Sequence, residues 1–152
     1  MDAPGHIHGV AVAVAVDPDG PLAGALLLGP PGAGKSALAL SLIEACPYGR
    51  TALVADDVVM ISAEGGAVFA RAPEKIRGLI ELRGYGPARV RAAPRTRLVA
   101  AFEIAGDVPR LPQPVTRRFG GAEVPAWPFA REGDAPARIR LILRSILGGQ
   151  TP

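Results

Sequence analysis

The stretch "LLLGPPGAGKSALALSLI", residues 26–43, decides how this chain is read. Gly29, Gly34, Lys35 and Ser36 fit the spacing G-x-x-x-x-G-K-[ST]. Leu26-Leu27-Leu28 ahead of it reads as a buried strand, and Ser36 to Cys46 behind it as a helix. A strand that runs into a glycine-rich turn and then a helix aims successive backbone N–H groups at one point. The positive end of the helix dipole adds to the attraction for an anion there. Gly32 and Gly34 permit the turn and a close backbone approach. The expected nucleotide loop therefore comprises Gly29, Pro30, Pro31, Gly32, Ala33, Gly34, Lys35 and Ser36. Lys35 is expected to reach the outer phosphates of ATP, and the Ser36 hydroxyl to ligate Mg²⁺. A glycine turn that merely contains Lys-Ser is the bland alternative, and the strand and helix on either side argue against it. The phosphate acceptor has to be sought in the rest of the chain.

At 152 residues the chain suits one domain with a real hydrophobic core. No apolar run is long enough to predict a transmembrane helix. The run "VAVAVAV" at 10–16 is closed by Asp17-Pro18-Asp19-Gly20 and preceded by no basic segment, so a signal peptide is not expected. The single Cys46 cannot form an internal disulfide, which fits a reducing cytoplasm, and its helical neighbours predict a small buried hydrophobe rather than a nucleophile. Of 17 basic residues only Lys35 and Lys75 are lysines. Arg83, Arg89, Arg91, Arg95 and Arg97 follow one another with no acid between them. Such a stretch attracts an acidic protein, bound phosphates or nucleic acid, or is simply a solvated face. Tyr85 is its one aromatic, too few for a base-stacking platform. Neither nucleic-acid nor membrane binding is expected.

Residues 7–16 read as a first strand and 23–28 as a second, followed by the loop and its helix, which Pro47 to Gly49 ends. "TALVADD" is a third strand, apolar until it meets two carboxylates. "VVMIS" and "AVFAR" flank Glu64-Gly65-Gly66 as a hairpin. A short helical or turn segment within 73–86 precedes a strand through Ile80 and Leu82, and 97–104 is another apolar strand. "GDVPRLPQPVTRRFGGAEVPAWPF", 106–129, reads as ordered loop and short strands pinned by Trp127 and Phe129, and the proline-rich 113–136 matches no recognised segment. A closing helix over 137–147 places Ile139, Ile142, Leu143 and Ile146 on one face and Arg138, Arg140 and Arg144 outside. The expected fold class is α/β, with a mixed β-sheet and few helices in a single domain across 1–152.

Phosphoryl transfer to a hydroxyl needs a metal, a base for the acceptor proton and positive charge on the transferring group. Asp56 and Asp57 end a strand, the edge where ligands gather in a parallel α/β sheet. On an extended strand they point to opposite sides, so one serves the Mg²⁺ shell and the other faces the acceptor. Two solvated acids at a strand end are the alternative. Glu81 lies between Ile80 and Leu82 with Arg83 on its own face; it is a metal ligand or half of a structural Glu–Arg pair.

"IHGVAVAV", "GPPGAGKS", "LVADD", "APEKIRGLIELRGYG" and "LVAAFE" occur in the order seen in the catalytic domain of HPr kinase/phosphorylase. The chain resembles that family over about residues 6–110. The resemblance implies a P-loop kinase of the phosphoenolpyruvate-carboxykinase-like type that uses ATP and Mg²⁺ to phosphorylate a serine of the phosphocarrier HPr. By that resemblance His8 lies near the reacting phosphate, Lys35 and Ser36 serve nucleotide and metal, and the Asp56-Asp57 pair contains the proton acceptor, with a lean toward Asp57. Glu81 matches a magnesium ligand, and Arg110 aligns with an arginine acting at the active site, although Pro109 stands where the family has an acid. His6 matches nothing and is assigned to the surface. The resemblance also implies a homo-oligomer, a hexamer, in the cytoplasm.

The separate N-terminal domain of long family members is not in this sequence, which resembles the catalytic domain alone. Pro30-Pro31 and Ala37 replace parts of the family's usual loop without removing a ligand. The arginine-bearing P-V-R-P-G-R-N-like segment associated with dephosphorylation has no recognised counterpart, so the resemblance supports the kinase half and not the phosphorylase half. Two other functions fit the loop. One is a small-molecule kinase of adenylate-kinase-like type, which needs a metabolite pocket and an arginine-bearing helical lid. The other is a nucleotide-sensing protein without transfer, which needs fewer acids facing the phosphate.

Overall fold

The computed structural model describes residues 5–149; the first four and last three residues of the expected 1–152 domain lie outside them. Among the described residues, eleven strands and two helices follow in order. They are β1 (Gly5–His8), β2 (Val10–Val14), β3 (Ala23–Leu28), α1 (Lys35–Glu44), β4 (Ala52–Ala55), β5 (Val58–Glu64) and β6 (Ala67–Arg71). A 3₁₀ turn at Glu74–Ile76 leads to β7 (Leu79–Leu82), β8 (Gly86–Arg89), β9 (Thr96–Ile104), β10 (Val115–Phe119), β11 (Ala122–Phe129) and α2 (Ala135–Leu147).

The main sheet runs β1-β5-β6-β9-β3-β2-β4, with β11 joining β9 and β10 joining β11; β7 and β8 form a separate hairpin. It is mixed. β3, β9 and β11 are mutually parallel, and β2 lies antiparallel between β3 and β4, so β4 runs the same way as β3. The carboxyl ends of β3, β4, β9 and β11 and the amino end of β2 consequently meet at one edge. That edge holds the glycine loop and Asp56.

Two cores sit on the two faces of the central strands. Val10, Val12, Val14, Leu27 and Phe102 pack against Leu38, Leu42, Ile139 and Leu143 of the helices. Ala11, Ala13, Leu26 and Ala101 pack against Val59, Ile61, Val68 and Ala70 of the β5–β6 hairpin, which folds over the other face. With both faces covered, the "VAVAVAV" run needs apolar residues at odd and even positions alike, which is why it shows no polar alternation. Phe102 is fully buried and meets Phe129 edge to face at 5.4 Å; burying one such side chain is worth about 1.5–3 kcal/mol.

Several expectations change. The single strand expected over 7–16 is two, because the chain switches from β5 to β3 and β4 as pairing partners at Gly9. A Cβ on Gly9 would lie 3.0 Å from the Leu27 carbonyl and 3.2 Å from Leu28, so the crossing is tight and favours glycine. The eight-residue β11 is longer than the proline-rich sequence suggests. Pro125 pairs only with β10 and Pro128 only with β9, so each missing N–H can face a side with no partner strand. Arg140 is buried rather than outside, and donates to the Pro136 carbonyl within its own helix. Arg144 is tied back to the Val16 carbonyl at 3.0 Å. Cys46 falls beyond α1 and is half-buried, not a core hydrophobe. Burial pushes its thiol up, but the Thr51 hydroxyl and the Arg50, Thr51 and Tyr48 backbone outweigh this and leave it at about 6. Of the basic stretch, Arg91 donates to the Thr51 carbonyl, while Arg95 pairs with Glu64 and stacks over Phe69. Arg83, Arg89 and Arg97 remain exposed.

Candidate functional site

The loop after β3 turns through positive φ at Gly29, Gly32 and Gly34, and Gly34 caps α1 with φ 94°. These values explain the glycines, since a Cβ-bearing residue is strained there. α1 has no acid in its first turn and no side-chain cap, so its leading N–H groups remain available to an anion. Lys35 does not point freely outward: its Nζ donates to the carbonyls of Gly29 (2.7 Å) and Pro30 (3.2 Å), which holds the loop closed.

Asp56 is buried, and both its oxygens are used. The Ser36 hydroxyl donates to Oδ1 at 2.6 Å and the Glu81 backbone N–H to Oδ2 at 2.9 Å. One carboxylate thus joins the first turn of α1, the end of β4 and the β7–β8 hairpin. The extended-strand expectation fails here: β4 ends at Ala55, and Asp57 takes φ 73°, the described residue other than glycine with positive φ. The turn still separates the two acids. Asp57 is exposed, and its carbonyl accepts from the Gly9 N–H at 3.0 Å, which places it beside His8, itself paired with Val58.

The Glu81 side chain is exposed and forms no ion pair with Arg83 among the described residues, so the structural-pair alternative is not what the structure holds. Its backbone contact with Asp56 keeps it close to Ser36. No group of three or more His, Cys, Asp or Glu side chains gathers as a metal site among the described residues. The available donors are one hydroxyl and two carboxylates, a set that suits an ion retaining waters and phosphate oxygens, as Mg²⁺ does.

The structure does not bring Arg110 to this cluster. Beyond β9 the chain crosses toward α2, and Arg110 lines a groove of about 620 Å³ with Trp127, Leu141 and Ile142. Arg131 stands at the loop instead. A Cβ built on Gly34 would lie 2.6 Å from Cζ and 2.7 Å from Cδ of Arg131, so that side chain lies flat against the loop. A cavity of about 490 Å³ separates Pro30 and Ala33 from the Ala130–Glu132 segment. The signal for Arg131 is an arginine two residues after a strand that ends in Trp127-Pro128-Phe129. The prolines hid the strand, and with it the edge to which the arginine belongs.

The family model described as "HPr Serine kinase C-terminal domain" matches residues 3–96. The chain belongs to that family. Three HPr kinase/phosphorylases are similar to this chain. That of Mycoplasmopsis pulmonis is 41% identical over 63 residues, 41% of this chain and 19% of the relative. That of Leptothrix cholodnii is 44% identical over 70 residues, 45% of this chain and 20% of the relative. That of Brevibacillus brevis is 45% identical over 64 residues, 41% of this chain and 19% of the relative. The chain therefore spans about a fifth of the length of the curated relatives it matches. A solved structure, the Hpr(Ser) kinase/phosphatase from Coxiella burnetii, superposes with a TM-score of 0.79 at 21% identity, covering 95% of this chain and 97% of that one. The two share a fold, an α/β single domain with a mixed sheet.

Proposed function

We propose that this chain is a catalytic domain of the P-loop, phosphoenolpyruvate-carboxykinase-like type that uses ATP and Mg²⁺ to phosphorylate a serine of an HPr-like phosphocarrier. The observation that carries it is the Ser36–Asp56–Glu81 linkage at the mouth of the glycine loop, with Asp57 and His8 beside it on the same sheet edge. A sensor that only holds nucleotide has no use for a buried carboxylate joined to the loop serine, with a second acid on the adjoining turn. The family membership points the same way.

In this reading, the N–H groups at the start of α1 and Lys35 hold the outer phosphates, which requires Lys35 to leave the Gly29 and Pro30 carbonyls. Ser36, Asp56 and Glu81 are the residues that would hold the metal. Because the Ser36 proton is already given to Asp56, the hydroxyl's lone pairs are free to face a cation. When bound there, Mg²⁺ would supply charge neutralisation for the transferring phosphate. Asp57 takes the proton of the attacking serine hydroxyl. The serine oxygen bonds to the γ-phosphorus, the bond to the β-phosphate oxygen breaks, and ADP leaves with that electron pair. His8 stands beside Asp57 and faces the incoming hydroxyl. A positioned base contributes about 10²–10⁴-fold. The exposed turn at Asp57 suits an acceptor carried on another protein, whereas a metabolite kinase needs an enclosing lid. A homo-oligomer, a hexamer by the family resemblance, acting in the cytoplasm belongs to the same reading, and the whole of residues 1–152 is assigned to this one domain.

Incubating the chain with ATP–Mg²⁺ and an HPr-like protein, and then mapping the phosphate by mass spectrometry, tests this directly. Phosphoserine is expected. Phosphate on histidine, or turnover with nucleoside monophosphates and none with the protein, overturns it.

A further inference from the structure

We infer that Arg131 is a phosphate-contacting residue of the nucleotide site, delivered to the glycine loop by the β11–α2 connection; this rests on the reading of residues 29–36 as a nucleotide cradle. Four independent features support it. The first is placement. β11 runs parallel to β9, and β9 to β3, with Phe129 opposite Ile104 and Leu28 opposite Glu103. Whatever follows β11 must therefore emerge beside whatever follows β3, which is the loop.

The second is contact. The Arg131 side chain lies along Gly34, the N-cap of α1, so closely that no larger residue fits there without displacing it. The third is charge. Arg131 and Lys35 are two cations at the positive end of the α1 dipole, an arrangement that is unfavourable until an anion comes between them. Lys35 is held by carbonyls, and Arg131 forms no ion pair among the described residues.

The fourth is support. Arg138 in α2 donates through Nη2 to the carbonyls of Ala130 (2.8 Å) and Glu132 (2.6 Å), the residues on either side of Arg131, and its guanidinium lies 4.5 Å over the Phe129 ring. The Ala105 N–H fixes the start of the same segment by donating to the Phe129 carbonyl at 3.0 Å. A backbone clamped at both neighbours presents the arginine at a set height above the loop, which lowers the ordering cost of a phosphate contact. Transferring phosphoryl groups need such a cation, and the planar guanidinium can engage two oxygens at once. Arg131 fills the role that the sequence resemblance placed on Arg110.

Equilibrium binding of a fluorescent ATP analogue with Mg²⁺ tests this on the full chain, Lys35→Ala, Arg131→Ala and Arg131→Lys, across a range of KCl concentrations. Thermal melts alongside confirm that each variant is folded. The expected result is roughly tenfold or more weaker binding for Arg131→Ala, an intermediate loss for Arg131→Lys, and a shallower salt dependence once one phosphate contact is gone. A role limited to packing on Gly34 would leave the salt dependence unchanged. If the full chain and Lys35→Ala both fail to bind the analogue, the cradle reading falls and this inference with it. If the full chain binds, Lys35→Ala does not, and Arg131→Ala matches the full chain in affinity and salt dependence, the cradle stands and the role of Arg131 is overturned.

Discussion

Replacing Asp56 and Asp57 one at a time by asparagine should separate stability from chemistry at this site. Asp56 is buried and accepts two hydrogen bonds, from Ser36 Oγ and from the Glu81 N–H. Asparagine keeps the shape but offers one acceptor oxygen. It can satisfy the Glu81 N–H only if its amide donates to a reoriented Ser36 hydroxyl. Two charge-assisted bonds at about 1.5–3 kcal/mol each then become two neutral ones at about 0.5–1.5. The expected cost is about 1–3 kcal/mol, or a fall of roughly 3–10 °C in Tm for a chain of this length. Asp57 is exposed and at φ 73°, a conformation asparagine tolerates, so Asp57→Asn should stay within about 0.5 kcal/mol. Asp57→Ala should cost roughly 1–2 kcal/mol from backbone strain alone. Activity should follow a different order. Both asparagine variants should bind ATP. Asp57→Asn should lose about 10²–10⁴-fold in serine phosphorylation with no response to metal, and Asp56→Asn should recover partly as Mg²⁺ is raised. Urea melts, nucleotide titration and phosphosite mapping on an HPr-like protein give the three readouts. A larger stability loss for Asp57→Asn than for Asp56→Asn would refute the division of labour, and normal serine phosphorylation by both would refute the mechanism.

Three further outcomes are expected. Lys35→Ala should abolish transfer and weaken ATP binding while the thermal transition moves only slightly, since Nζ bonds two loop carbonyls and no core group; unchanged affinity and turnover would remove the loop from the site. Glu81→Gln should reduce transfer more than stability and be partly rescued by Mg²⁺, because its side chain is exposed and only its backbone N–H braces Asp56; a loss that tracks unfolding and ignores Mg²⁺ would make it structural. The Cys46 thiol, lowered to about 6, should alkylate with iodoacetamide at a rate that levels off above about pH 7. Because the folded value is depressed, the thiolate's stabilisation is complete above the unfolded value of about 8.5 and is lost as pH falls through about 6. A rate still climbing tenfold per unit between pH 7 and 8 would show an ordinary thiol.

Local chemistry determined much of this protein from its sequence alone. The glycine spacing, the apolar strand ahead of it and the helix behind it specify a loop, because positive φ and exposed N–H groups follow from residue type within a few positions. The second strand and the hairpin of β5 and β6 follow in the same way from short-range pattern and turn residues. Tertiary structure decided what depends on partners distant in the chain. Asp56 became a buried acceptor because Ser36 and Glu81, twenty residues before it and twenty-five after, converge on it. Asp57 left the strand because Gly9 claims its carbonyl. The arginine at the loop is Arg131 rather than Arg110, since only the parallel pairing of β11 with β9 puts residues 130–132 beside the end of β3. Prolines at 125 and 128 argue locally against a strand, and pairing on one side at each of them overrides that argument. Sheet order is set by which faces can be buried together, and no window of sequence contains both faces.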